Sequence, residues 1–245
     1  MTPETNQTRR PRGFGVIPLP RYSAVNLLGA LTLLFVSAPF VEDLPRGDLI
    51  EALLLSFVMV FAVLAVGGRG RTLVFALLLF IPALVGKWAS RLYPDLVSPL
   101  VFLVPTMAFF AFVVANLLLF ILRSPRVDTN VLCAGLSGYL LLGLLWMPAY
   151  VAVARLAPTD HPAFVLSAGW DATSTMDGFH AFYFSFITLC TVGYGDVTPV
   201  SKVARMLAVT EAIAGLFYVA VLISRLVAVY SSAQPAADAG AADKP

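Results

Sequence analysis

The sequence predicts an all-α membrane protein with six transmembrane helices and one further helix that enters the membrane without crossing it. Two observations support this prediction. Of the 245 residues, 59% are hydrophobic and only 12% are charged, and the mean hydropathy is +0.87. Such a composition lies far from that of water-soluble domains. The apolar residues also fall into stretches whose lengths match the thickness of a bilayer.

Six apolar stretches are long enough to cross a bilayer as helices, which takes about 20 residues each. They are residues 22–41, 49–66, 72–89, 96–122, 131–155 and 203–230. The apolar stretch 179–189 is too short to cross and is typical of re-entrant segments. The first stretch follows basic residues, but it is long for the apolar core of a signal peptide and lacks a good cleavage site. We therefore interpret it as a membrane helix.

The charges of the loops predict the orientation. Arginines dominate residues 1–21 and the loops after the second and fourth stretches, which places these segments on the cytoplasmic side. The first loop is mainly acidic and is expected outside. Both termini are then cytoplasmic, as an N-terminal tail at 1–21 and a disordered tail at 231–245, which has too few apolar residues to bury a core. The expected location is the cell membrane, specifically a prokaryotic inner membrane.

The composition also disfavours several classes of function. The formal net charge is +2 and no long basic run is present, so we expect no nucleic acid partner. The two cysteines, Cys133 and Cys190, lie within apolar stretches, which disfavours a disulfide framework. The sequence contains no recognisable metal-ligand cluster, nucleophile motif or phosphate-binding loop. We therefore expect neither an enzyme nor a resident cofactor.

A glycine-rich hexapeptide follows the short apolar stretch and precedes the last long one. It reads Thr191-Val192-Gly193-Tyr194-Gly195-Asp196. Together with the three residues before it, this segment resembles the signature of the tetrameric potassium channel superfamily. The resemblance implies a pore domain at 131–230, with an outer helix, a re-entrant pore helix, a selectivity-filter loop and an inner helix. Residues 22–122 would form a four-helix transmembrane scaffold.

The resemblance implies that residues 191–195 bind K⁺ as the permeant ion. In this family, backbone carbonyls replace the water around a dehydrated ion. Gly193 and Gly195 permit dihedrals that let successive carbonyls face one axis, and Thr191 can add a hydroxyl oxygen. Val192 and Tyr194 would pack against surrounding helices. Because one chain supplies a quarter of the ring and the motif occurs once, a homotetramer embedded in membrane lipid is implied.

Four residues are expected to support the filter. The best-known bacterial pore has a pore-helix glutamate that pairs with the aspartate after the filter, and Ile187 occupies that position here. Asp196 must then find another partner, for which the Tyr183 hydroxyl is the candidate. Glu211 is an acid within the last stretch, where insertion costs about 2.5–3.5 kcal/mol. It is either a structural hydrogen-bond partner of the pore helix or filter backbone, or a group that attracts ions or senses pH.

The last apolar stretch is expected to form the inner helix of the pore. Gly215 lies where similar channels have a hinge glycine, and close packing against a neighbouring helix is the alternative. If the register matches the family, the residues that line the cavity are Leu216, Val219 and Ile223. Asp177 and Ser201 are the expected N-caps of the pore helix and the inner helix.

The fourth stretch has no charged residue, whereas voltage-gated channels of similar layout place arginines at every third position there. Each charge that crosses the field yields about 2.3 kcal/mol per 100 mV, so strong voltage dependence is not expected. The implied function is passive, selective K⁺ conduction. Two alternatives are a subunit of a cation uptake system, which usually carries four degenerate filters in one chain, and a non-conducting accessory or regulatory subunit with the same fold.

Overall fold

The computed structural model describes residues 23–41, 44–66, 70–93, 98, 100–158, 160–167, 176 and 178–233. Within this part of the chain it has seven helices and two short strands. In chain order they are α1 (Ser23–Val41), α2 (Gly47–Val66), α3 (Arg71–Leu92), α4 (Leu100–Arg123), α5 (Thr129–Leu156), β1 (Phe164–Leu166), α6 (Gly178–Leu189), β2 (Val197–Pro199) and α7 (Lys202–Ala233).

Six of these helices, all except α6, are long and apolar enough to cross a membrane. The 12 residues of α6 extend over about 18 Å at 1.5 Å per residue, which is well short of the roughly 30 Å of a hydrocarbon core. The predicted all-α membrane fold with one short additional helix is therefore confirmed.

The observed helix ends differ from the predicted ones by three residues or more at three places. α3 continues to Leu92, three residues beyond the predicted end, and α7 continues to Ala233, so the first three residues of the predicted tail at 231–245 are helical. α4 begins at Leu100, four residues later than predicted. Pro99 immediately precedes it in the sequence, and a proline disfavours helical backbone at the residue before it.

Side chains cap the starts of α7 and α5. The Oγ of Ser201 accepts a hydrogen bond from the Ala204 N–H at 3.1 Å, so this predicted cap is confirmed. Asp128 caps α5 by accepting from the Val131 N–H at 2.9 Å. The other predicted cap, Asp177, lies outside the described residues, as do the N-terminal tail at 1–21 and residues 234–245.

α5 is the central helix of the fold. It packs against α1, α4, α6 and α7. In lipid no hydrophobic effect drives helices together, so their association depends on close packing. Small residues allow that close packing. Gly138 faces the Tyr218 hydroxyl of α7, and Gly143 faces the Phe186 ring of α6. The three helices α5, α6 and α7 thus pack against one another.

The strand pair β1–β2 was not predicted. The two strands are antiparallel, with Phe164 opposite Pro199. Adjacent backbone bonds extend the pairing: the Val200 N–H donates to the Ala163 carbonyl at 2.9 Å, and the Ser167 N–H donates to the Asp196 carbonyl at 2.8 Å. The segment after α5 is thereby joined to the segment that follows the glycine-rich motif.

Replacing Gly143 with Ala should destabilise the packing of α6 on α5. An added Cβ would overlap the Phe186 ring, and overpacking of this kind costs typically about 1–3 kcal/mol. We expect a lower midpoint of thermal unfolding for the protein purified in detergent. Gly29→Ala is the matched control, because a Cβ at Gly29 of α1 meets nothing within 4 Å. An equal effect of the two substitutions would contradict the packing argument.

Candidate functional site

The chain leaves α6 through a turn that uses the free carbonyls of the helix end. The last carbonyls of a helix have no partner within the helix. Here the Ile187 carbonyl accepts from two N–H groups of the glycine-rich motif, Val192 at 2.8 Å and Gly193 at 3.3 Å. The Thr191 N–H donates to the Thr188 carbonyl at 2.9 Å. The start of the motif is therefore fixed to the C-terminal end of α6.

These bonds determine the direction of two carbonyls. In a trans peptide the C=O points away from the N–H of the same peptide unit, and no described peptide bond is cis. The N–H groups of Val192 and Gly193 point toward α6, so the carbonyls of Thr191 and Val192 point away from it. Two successive carbonyl oxygens thus face the side opposite to α6.

Every second residue of the motif has a positive φ: 57° at Thr191, 56° at Gly193 and 83° at Gly195. Alternation of left- and right-handed backbone orients successive peptide groups to one side, unlike an extended strand. Glycine adopts such angles readily. Thr191 is the only non-glycine residue with a positive φ among the described residues, and such strain, which costs of order 1–3 kcal/mol, concentrates at functional sites.

The motif is open to its surroundings within a single chain. All five residues 191–195 are exposed, with 50% exposure for Val192 and 74% for Tyr194. At least half of each of these two side chains is thus left uncovered by its own chain, so their packing against surrounding helices stays a prediction. The Gly195 carbonyl differs from the carbonyls of Thr191 and Val192, because it accepts from the hydroxyls of Ser167 at 3.4 Å and Thr198 at 3.2 Å.

Asp196 is held by Tyr183 of α6, the partner that the sequence suggested. The Tyr183 hydroxyl donates to Oδ2 of Asp196 at 2.7 Å, and Oδ1 accepts from the Val197 N–H at 3.0 Å. Ile187 is buried in an apolar cluster with Phe164 and other residues. Burial raises the pKa of Tyr183 to about 12, and the hydrogen bond to Asp196 acts in the same direction. The phenol therefore remains a donor at neutral pH.

Glu211 is fully buried where three helices meet. Its carboxyl group contacts the Tyr150 hydroxyl of α5, and its Oε1 lies 2.6 Å from Oγ of Ser185 of α6. Of the two alternatives that the sequence left open, the structure contains the hydrogen bond to α6. Sequence reasoning missed Tyr150 and Ser185 as partners. Each is a hydroxyl within a largely apolar helix, but the same helices carry other hydroxyls, such as Ser137 of α5 and Thr188 of α6, so the sequence alone does not single them out.

Gly215 of α7 lies against the end of α6. A Cβ at this position would be 2.7 Å from the Leu189 carbonyl oxygen and 2.8 Å from Leu189 Cδ1. Close packing is therefore an observed reason for glycine here, while a hinge stays a prediction. The expected cavity-lining residues are all exposed within the single chain: Leu216 (60%), Val219 (37%) and Ile223 (55%).

The site presents backbone oxygens to a cation, rather than a cluster of side-chain ligands. Among the residues described, no group of three or more His, Cys, Asp or Glu side chains could hold a metal ion. Oxygen ligands without a full charge suit a weakly bound monovalent cation that must leave again. The carbonyls of Thr191 and Val192 are the oxygens whose direction the hydrogen bonds determine.

Replacing Tyr183 with Phe should lower the free energy of unfolding by about 1 kcal/mol at neutral pH, since a hydrogen bond to Asp196 is lost. The pKa of this phenol is raised in the folded protein from 10.0 to about 12. Its contribution is therefore complete below pH 10 and is lost as the pH rises through about 12. Unfolding in detergent should show the difference between wild type and Tyr183→Phe shrinking over this window. Tyr93→Phe, at an exposed tyrosine, is the control, and a difference that does not depend on pH would contradict the argument.

Comparison with known proteins finds similarities that include this site. Residues 138–232 match the family model described as ion channel. The chain is 40% identical over 47 residues to two pore potassium channel c of Oryza sativa subsp. japonica, which covers 19% of this chain and 10% of that protein. It is 53% identical over 36 residues to the voltage-gated potassium channel Kch of Escherichia coli (15% and 9%), and 43% identical over 61 residues to protein LctB of Bacillus caldotenax (25% and 43%).

The matched segments span less than half of each of these relatives and about a tenth of the first two. No solved structure matches the chain. The family match includes α6, the glycine-rich motif and α7, together with most of α5. Residues 138–232 are therefore similar to the ion channel family, and the chain is similar to potassium channels over short segments.

Proposed function

We propose that this chain is a subunit of a potassium-selective channel that conducts K⁺ passively through a homotetrameric pore. The backbone of residues 191–195 carries the proposal. Its alternating positive φ values and the outward direction of the Thr191 and Val192 carbonyls produce a row of oxygens on one side. Such a row can replace the water around a dehydrated K⁺ ion. The relatives named as potassium channels support the same choice of ion.

The proposed stoichiometry follows from the incompleteness of one chain. A single row of carbonyls cannot surround an ion, and the motif occurs once in the sequence. Val192 and Tyr194 are largely exposed, and in a tetramer they would pack against helices of neighbouring copies. α7 also exposes large apolar side chains such as Met206 and Phe217. Four copies around one axis would enclose the carbonyls and cover part of this apolar surface.

The rest of the domain fits a path for cations. The C-terminal end of α6 carries a partial negative charge that favours a cation nearby, and the motif begins there. We propose that Asp196, Tyr183, Ile187 and Glu211 support the filter. We further propose that Leu216, Val219 and Ile223 line an apolar cavity and that α7 bends at Gly215 when the pore opens.

The pore is proposed not to be strongly voltage-gated. Among residues 100–122 of α4 no side chain is charged, and Arg123 lies at the end of the helix. The helices α1 to α4 would act as a scaffold in the lipid. We place the protein in the cell membrane, specifically a prokaryotic inner membrane, with both termini in the cytoplasm. The arginine-rich loops support this orientation.

Potassium flux into liposomes tests the proposed function. The purified protein should conduct K⁺ and largely exclude Na⁺, and Gly193→Ala should abolish this selectivity. Gly193 has a φ of 56°, and a side chain there costs about 1–2 kcal/mol while disturbing the carbonyl row. Gly70→Ala is the matched control, because Gly70 has a φ of 93° at the start of α3 and no atom within 4 Å of an added Cβ.

The outcomes of this flux experiment separate the candidate functions. Flux with equal K⁺ and Na⁺ permeability would overturn selectivity, and no flux from folded protein would favour the accessory subunit. Loss of selectivity in both glycine variants would show that the effect does not arise at residues 191–195.

Single-channel recording over a range of voltages tests whether the helices α1 to α4 lack a voltage sensor. Moving one elementary charge through the field yields about 2.3 kcal/mol per 100 mV. We expect the open probability to change less steeply with voltage than it would if each subunit moved one such charge through the field. A steeper dependence, or a gating current from the purified tetramer, would contradict the absence of a voltage sensor.

A further inference from the structure

Ser185 of α6 has one hydroxyl proton and two close oxygen neighbours. Its Oγ lies 2.7 Å from the Gly143 carbonyl oxygen of α5 and 2.6 Å from Oε1 of Glu211 of α7. A carbonyl oxygen cannot donate, so the serine proton must lie on the line to Gly143. If the proton pointed elsewhere, the Ser185 and Gly143 oxygens would face each other as two acceptors at a distance typical of O–H···O bonds. The second short contact then needs a proton from another group.

Glu211 is the one group that can supply this proton. An ionised carboxylate only accepts, whereas a protonated carboxyl also donates one hydrogen bond. We infer that Glu211 is protonated and uncharged, and that it is a positioning residue whose O–H donates to Ser185 while its second oxygen accepts from Tyr150. The resulting chain of hydrogen bonds is complete: Tyr150 to Glu211, Glu211 to Ser185, and Ser185 to the Gly143 carbonyl.

The surroundings of the carboxyl agree with a neutral group. The groups that contact it are the Tyr150 hydroxyl from α5 and the Ser185 hydroxyl from α6. The Tyr139 hydroxyl of α5 is a further titratable group near Glu211, and a phenol ordinarily carries no charge at neutral pH. No cation forms an ion pair with Glu211 among the residues that the structure describes. A bare charge buried in a membrane protein without a counter-ion is strongly disfavoured.

A neutral Glu211 would position the filter through α6. Ser185 lies two residues before Ile187, whose carbonyl holds the N–H groups of Val192 and Gly193. One turn beyond Glu211, Gly215 brings α7 against the end of the same helix. As an account of how the filter is held, this step rests on the proposed function, whereas the protonation of Glu211 does not. An uncharged side chain at this point excludes the direct attraction of ions by Glu211.

Infrared spectroscopy of the full-length protein at pH 7 tests the protonation. The C=O stretch of a carboxylic acid is well separated from the stretches of a carboxylate. We expect wild-type protein to show a carboxylic acid band that Glu211→Gln removes. Glu51→Gln is the matched control and should retain the band, since Glu51 is partly exposed and lies 3.8 Å from Lys87. No such band in the wild type, or a band that survives in Glu211→Gln, would overturn the inference.

Hydrogen exchange at the Val192 and Gly193 amides tests the positioning role without reference to ion flux. Glutamine can donate to Ser185 and accept from Tyr150 as a neutral glutamic acid does, so Glu211→Gln should keep the amides protected. Glu211→Ala should lose protection by about tenfold, because buried hydroxyls lose their partner. Glu211→Asp should lose amide protection as Glu211→Ala does, since the shorter aspartate side chain cannot reach both hydroxyls. If glutamine failed like alanine while aspartate retained protection, a charge would be required and the inference would be wrong.

The two readouts also separate this inference from the proposed function. Protein that lacks K⁺ flux but shows the infrared band and the glutamine rescue would support the protonated Glu211 and reject the channel. Selective K⁺ flux without the band would support the channel and reject the neutral carboxyl.

Discussion

Backbone that leaves a helix inside a membrane protein must find partners within the protein for its N–H and C=O groups. Between α6 and α7 this constraint is met by a few groups that each have a definite place. The Ile187 carbonyl accepts two N–H groups, and the Asp196 carbonyl accepts the Ser167 N–H. Once these bonds are made, the Thr191 and Val192 carbonyls can only point away from α6. The geometry of the candidate filter is thus a result of how the rest of its backbone is satisfied.

The helices around this segment are held by two devices that suit a lipid environment. Glycine at 143 lets α6 approach α5, and its carbonyl accepts the Ser185 hydroxyl at 2.7 Å. Tyr218 likewise packs at Gly138 and donates to the Gly135 carbonyl at 2.9 Å. Interhelical hydrogen bonds in membranes contribute on average only about 0.6 kcal/mol each. Close packing and several such bonds must therefore act together to fix α6 between α5 and α7.

The features that the sequence predicted well depend on local patterns. Span number follows from hydropathy and length. The motif at 191–196 could be singled out because its residues are contiguous, while its role stays a prediction. The features that it missed depend on contacts between distant residues. Tyr150 is 61 positions from Glu211, and β1 is a three-residue strand that exists only because β2 lies beside it. Nothing in the residues near either partner identifies the other. Tyr183 and Asp196 are 13 positions apart, and they were paired only because the family pattern left Asp196 without its usual partner.

The positive φ at Thr191 and the exposure of the whole motif have a consequence for assembly. In the proposed tetramer, the strained segment of each subunit is enclosed only when the other three are in place, and the carbonyl oxygens of four chains then repel one another. A permeant cation between them would relieve that repulsion. Whatever binds the assembled state and not the separate chains stabilises it by mass action. Potassium would then be a component of the quaternary structure as well as the cargo, and its concentration on either side of the membrane would influence how long the four subunits stay together.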